Sequence, residues 1–230
     1  MGDENQTVAQ SAPYKSSYKR VMGGTYFYCG SIIGKKNVFV SNQYLDLLSQ
    51  AFKTIELKRD IKNLAFVIMP NYFYWMFRLN AKQDNPVDIY KELKKDVTLE
   101  ILKLLKQEAQ SEDFPALDLF KNNPKVTRSP SRLILWHFKE MAKKFKGDAK
   151  YKIWAPHTTL LNIEDDQMLC KKLQSILSAP VLERWQLVGE PKDYPYLYVA
   201  AEVDDKADKI ASQLTIPVVL PFKQSAKATA

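Results

Sequence analysis

The segment Asn63–Leu79, NLAFVIMPNYFYWMFRL, constrains the fold of this chain more than any other. Two apolar runs, Asn63–Met69 and Tyr72–Leu79, flank the dipeptide Pro70-Asn71. Proline presets the first position of a turn and asparagine tolerates the backbone that reverses a chain, so the two runs predict a hairpin of buried strands. An aromatic, β-prone run, Thr25–Ser31, precedes the hairpin and predicts a further strand. Between them, Ser41 or Asn42 can cap a helix whose apolar face is Tyr44, Leu47, Leu48, Ala51, Phe52 and Ile55.

After the hairpin, Asn85-Pro86-Val87-Asp88 offers a capping residue, a proline in the first turn and an acid at the positive end of the helix dipole. Ile89, Leu93, Val97, Ile101 and Leu105 then recur every four residues, which carries this helix to about Ala109. Ser129-Pro130 starts another, with Ile134, Phe138, Met141 and Phe145 inward; Tyr151–Trp154 predicts a short strand and Asp165–Ser178 a last helix. The order strand, helix, strand, strand, helix predicts an α+β fold: a ferredoxin-like antiparallel sheet with helices packed on one face and extra helices inserted before the C-terminal block. Residues 1–21 are polar and aperiodic, and are expected to form a flexible arm. The domain is expected over 22–200 with a helical insertion at 110–147, and 201–230 as a C-terminal tail.

With 46% hydrophobic and 12% aromatic residues, the chain has enough apolar surface for a core and is no disordered protein. Cys29 and Cys170 give neither a disulfide framework nor a metal-ligand spacing, which suits a reducing compartment. No apolar run approaches the roughly 20 residues that span a bilayer, and the polar start lacks a secretory h-region. The expectation is a cytoplasmic protein with no membrane partner.

The formal charge is +8, and the segment Lys121–Lys152 holds ten basic residues against Glu140 and Asp148, numerically the whole excess. On the predicted helix Arg132, Lys139, Lys143 and Lys146 fall on one stripe opposite Ile134, Phe138 and Met141. Such a stripe can track a phosphate backbone, and it can equally be a solvated face that keeps the protein in solution. The second hairpin strand likewise admits two readings. Alternation sets Tyr72, Tyr74 and Met76 on one face and Phe73, Trp75 and Phe77 on the other. Either both faces are core beneath helices, or one stacks bases as single-strand-binding modules do.

Three blocks carry a family resemblance. LAFVIMPNYFYWMFRL (Leu64–Leu79) resembles the strand pair of the single-tyrosine HUH transposases, the REP-associated tyrosine transposases in particular, where a Met-Pro-Asn turn leads into His-hydrophobe-His. DIYKELKKDVTLEILKLL (Asp88–Leu105) resembles the helix that follows, and Tyr151–Tyr196 the C-terminal block, so the likeness spans about Tyr26–Tyr198. The resemblance implies a metal-dependent single-strand DNA transposase. Paired imidazoles hold magnesium or manganese against the scissile phosphate, and a helix tyrosine attacks it and stays linked to the DNA.

At each of those positions this chain differs. The His pair falls on Tyr72 and Tyr74, the nucleophile on Ser175 and its polar partner on Ala179. A neutral phenol is a poor ligand for a hard divalent ion, and no base stands at a recognisable spacing from Ser175. His137 and His157, the two histidines of the chain, fall elsewhere. The expectation is therefore a DNA-binding member of that family recognising hairpin or single-stranded DNA, with no catalytic residues, no metal and no cofactor, and cleavage and strand transfer lost. Its nucleic-acid contacts are expected at Arg132, Lys139, Lys143, Lys146, Tyr72 and Tyr74, and a homodimer is compatible with it. The alternatives are a domesticated scaffold that uses the former catalytic face for protein contacts and, third, a still-active transposase.

Overall fold

The computed structural model describes residues 23–80, 84–111, 120, 123, 126, 129–145, 149–156, 159–182 and 184–212. Strand β1 (Thr25–Ser31) leads through a single 3-10 turn (Ile33–Lys35) to helix α1 (Asn42–Lys58). Strands β2 (Ile61–Met69) and β3 (Tyr72–Leu79) form the hairpin expected from Pro70-Asn71. Helices α2 (Pro86–Ser111) and α3 (Ser131–Lys144) follow, then β4 (Thr159–Ile163), α4 (Asp166–Ser178), β5 (Leu197–Val199) and α5 (Ala201–Ala211).

All strand pairs are antiparallel, in the order β4-β1-β3-β2-β5. The first four strands have the order of a ferredoxin-like sheet, and β5 extends it beside β2. One face carries Tyr26 and Tyr28 of β1 and Phe73, Trp75 and Phe77 of β3, all fully buried. Helices α1 and α2 cover it: Phe52 of α1 meets Trp75 at 5.2 Å between ring centroids, and Tyr90 of α2 stacks on Tyr28 at 4.8 Å. Gly30 continues this face, and the Phe73 ring lies where a β-carbon would stand. The opposite face carries Phe27, Tyr72, Tyr74 and Met76. Helix α4 reaches it, with Lys172 Nζ 5.1 Å from the centre of the Phe27 ring. The sheet is therefore covered by long helices on one side and partly by α4 on the other.

Local chemistry sets the helix starts. Asn85 Oδ1 accepts from Val87 N–H, and Asp165 Oδ1 accepts from Met168 N–H. The five apolar residues spaced along α2, Ile89 to Leu105, are all buried. On α3 the buried face is Ser131, Ile134, Phe138 and Ala142, with Met141 half-buried, so the packed stripe is turned slightly from the one expected.

The structure corrects the expected strand at Tyr151–Trp154. This segment makes one isolated bridge, Ile32 to Trp154, and the neighbouring strand is Thr159–Ile163, paired with β1. The Trp154 indole N–H turns to Thr98 Oγ1 on α2 (2.8 Å), so the segment is a strap against α2. The first part of the expected tail is helical: α5 buries Val203 and Ala207, and Glu202 pairs with Arg78 of β3 at 2.8 Å. Among the described residues no helix is long and apolar enough to cross a membrane.

Candidate functional site

The face of the sheet away from α1 and α2 opens into a cleft of about 740 Å³. Its floor is Cys29 and Ser31 of β1 with Tyr72 and Tyr74 of β3; its walls are the 3-10 turn, Ala155-Pro156, and the turn after α4 with Leu182, Arg184 and Trp185. Hydrogen bonds hold the walls, Ala155 N–H donating to Ser31 O of β1 among them. Asn71 Nδ2 donates to Lys35 O and to Asn37 Oδ1, fixing the 3-10 turn over the hairpin. Trp185 N–H donates to Leu182 O, and Asn123 Nδ2 donates to Trp185 O.

Across the floor the aromatic rings form a row. Phe27 and Tyr74 lie 5.4 Å apart between centroids, Tyr74 and Tyr72 5.0 Å, and Tyr72 and Trp185 6.3 Å. A cation closes each end, Lys172 over Phe27 and the Arg184 guanidinium 5.3 Å from the centre of the Trp185 ring. Phe27 and Trp185 are buried, and the half-buried Tyr72 and Tyr74 line the cleft.

The weak acids of the floor are all held neutral. Burial pushes the Tyr72 phenol well above its ordinary value and Tyr74 adds to this, against the indole of Trp185 and the charge of Arg184. Burial and then Cys29 raise Tyr74. The Cys29 thiol is raised by burial, opposed by Ser31 and Lys172. Among the described residues, those lining the cleft include Lys35 and Arg184 and no carboxylate or imidazole, and no cluster of three His, Cys, Asp or Glu could hold a metal. Neutral phenols are poor ligands for magnesium or manganese, hard ions that favour carboxylate, carbonyl, phosphate and water oxygens. What this floor can do is receive a planar apolar group against its rings and an anion at its rim.

Ser175 stands apart from the cleft lining. Its hydroxyl donates to Lys171 O within α4, an ordinary intrahelical bond, and Ala179 is fully buried. Of the expected cationic stripe, Arg132, Lys139 and Lys143 share the exposed face of α3, and Lys146 lies outside the described residues. Arg132 Nε donates to Ala109 O at the end of α2, so this side chain also fastens α3 to α2. Lys143 pairs with Glu140 at 2.6 Å, and Lys139 is exposed. His157 lies outside the described residues; His137 packs on Gly34 of the 3-10 turn, and since Gly34 lines the cleft, α3 and the cleft adjoin. Sequence reasoning missed Lys35, Lys172 and Arg184, which are remote in sequence from both predicted features and reach the floor or rim only through the topology.

No family model matches the chain, and no curated protein matches it. Among solved structures, that of a REP-associated tyrosine transposase bound to a REP hairpin superposes with a TM-score of 0.53. The two chains share a fold. The likeness covers 94% of this chain and 99% of the other at 18% sequence identity, so it extends through the whole ferredoxin-like sheet and its helices.

Proposed function

We propose that this protein binds hairpin or single-stranded DNA and does not cleave it. The observation that carries this reading is the cleft lining: two phenols stand where the resemblance implies metal-binding imidazoles, and the described rim residues include the cations Lys35 and Arg184 and no carboxylate. Replacing a metal and its ligands with rings and cations exchanges phosphate activation for phosphate and base contact. Ser175, at the position where the resemblance implies the nucleophile, spends its hydroxyl proton on Lys171 O of its own helix, which supports the loss of cleavage. The related fold bound to a REP hairpin supports a DNA partner of that shape, and α3 supplies further cations beside the cleft.

The test uses labelled hairpin oligonucleotides with single-stranded flanks, with and without manganese, scoring affinity and covalent linkage together. The reading expects metal-independent, reversible binding that weakens in the double variant Tyr72→Ala/Tyr74→Ala while the protein stays folded. A DNA–protein adduct formed with manganese overturns the loss of cleavage. Absence of binding at low salt overturns the DNA partner and favours a protein-contact scaffold.

A further inference from the structure

We propose that Trp136 of α3 is a base-stacking residue that holds an unpaired base of the bound DNA, an assignment that rests on the DNA-binding reading above. Trp136 is 61% exposed, whereas the other three tryptophans, Trp75, Trp154 and Trp185, are 8% exposed or less. A large aromatic side chain presented to solvent in this way forfeits a sizeable burial energy. It also breaks the helix pattern, standing midway between the buried Ile134 and Phe138 and on the side facing away from them.

Its surroundings decide the class of partner. Arg132 lies one turn before Trp136 and Lys139 one turn after it, with Lys143 a further turn along the same line. The acid on this flank, Glu140, is paired with Lys143. Leu133, 56% exposed, lies one turn from Trp136 and widens the apolar spot. A flat ring flanked along the helix axis by cations matches a nucleotide, whose base needs a π-face and whose phosphates need positive charge. Because His137, the next residue, packs on the Gly34 that lines the cleft, a strand leaving the cleft over the 3-10 turn arrives at this helix.

The exposed indole is its own reporter at the red edge of the emission, whereas the buried indoles, Trp185 of the cleft included, emit further to the blue. The experiment titrates the full chain with two labelled oligonucleotides, a hairpin with a short single-stranded flank and the same hairpin blunt-ended. Label anisotropy and tryptophan emission are followed together. The flanked hairpin is expected to quench the red-edge emission in the parent protein and not in Trp136→Ala. This variant should bind the flanked hairpin about ten-fold more weakly, with Trp136→Phe keeping most of the affinity. The salt dependence should stay that of the parent, because a ring releases no counterions. Equal affinity of parent and Trp136→Ala for a flanked hairpin that does bind overturns the stacking role and leaves DNA binding standing. A change in sedimentation of Trp136→Ala with no change in DNA affinity overturns it in favour of a contact between protein chains. If neither oligonucleotide binds the parent protein, the DNA-binding reading falls and this one with it.

Discussion

Asn63 is buried at the bulge where β2 shifts register against β3, and its amide serves three partners. Nδ2 donates to Phe52 O and Glu56 Oε2, and Oδ1 accepts from the Trp75 indole N–H at 2.7 Å. It thereby ties α1, β2 and β3 together inside an aromatic core. Asn63→Ala strands the indole N–H in that core, and the urea unfolding midpoint should fall by an amount equivalent to about 2–4 kcal/mol. Lys94 of α2 has a different signature. Its ammonium lies 5.7 Å from the centres of both the Tyr90 and the Trp154 rings, and burial, with Lys152 nearby, pushes its pKa down to about 8. An unfolded lysine titrates at about 10.4. Between these values the unfolded chain binds more protons than the folded one, so the contribution of Lys94 makes stability rise with pH across that window. Denaturant midpoints at the two ends of the window should rise less in Lys94→Met than in the parent protein.

Helix α3 is an element held at three points. Ser131 Oγ donates to the buried Glu108 carboxylate, Arg132 Nε donates to Ala109 O, and the His137 ring sits over Gly34. Gly34 has a left-handed backbone (φ 65°), and a β-carbon there would run into the His137 ring. Gly34→Ala should cost about 1–2 kcal/mol for the backbone alone. It should also displace α3 and weaken DNA binding, which a thermal melt and a binding titration on the same variant would show. At this scale the sequence was informative wherever an element carries its own period or cap. The five-residue ladder of α2, the Asn85-Pro86 start before it and the Pro-Asn turn of the hairpin each act locally, and each predicted its element. Strand β4 is half-buried along most of its length and β5 is three residues long, so neither writes a period into the chain. Tyr151–Trp154 has strand composition, but its tryptophan finds a partner on α2 that composition does not reveal. The site was legible as far as the β3 tyrosines and the α3 cations, because alternation and helical spacing place them. Lys35, Arg184 and the Trp185 end of the aromatic row depend on how distant segments meet.

Across the whole molecule, exposed cations lie on two adjoining surfaces, Lys35 and Arg184 at the cleft and Lys139 and Lys143 on α3. If each neutralises one phosphate of a single strand, the logarithm of affinity should fall with the logarithm of salt at a slope of roughly −3. Lys139→Ala/Lys143→Ala should halve that slope, and Lys35→Ala/Arg184→Ala made separately should halve it likewise. A slope insensitive to both pairs would assign the salt effect to the general charge of the chain. Anisotropy titrations from low to physiological salt measure it directly.

The strand order also decides what happens while the chain is being made. The three central strands, β1, β3 and β2, are complete once Leu79 has been synthesised, but the strands that close their two free edges are encoded at Thr159–Ile163 and Leu197–Val199. At 5–20 residues per second the ribosome needs roughly 6–24 s to travel from the hairpin to the last edge strand. Throughout that interval the backbone groups of Val67 and its neighbours on one side, and of Phe27 and its neighbours on the other, face outward on a nascent sheet rich in aromatic residues. A ribosome stalled in the helical region would display two sticky strand edges, which makes the pace of translation through α2 and α3 part of how this protein avoids aggregation.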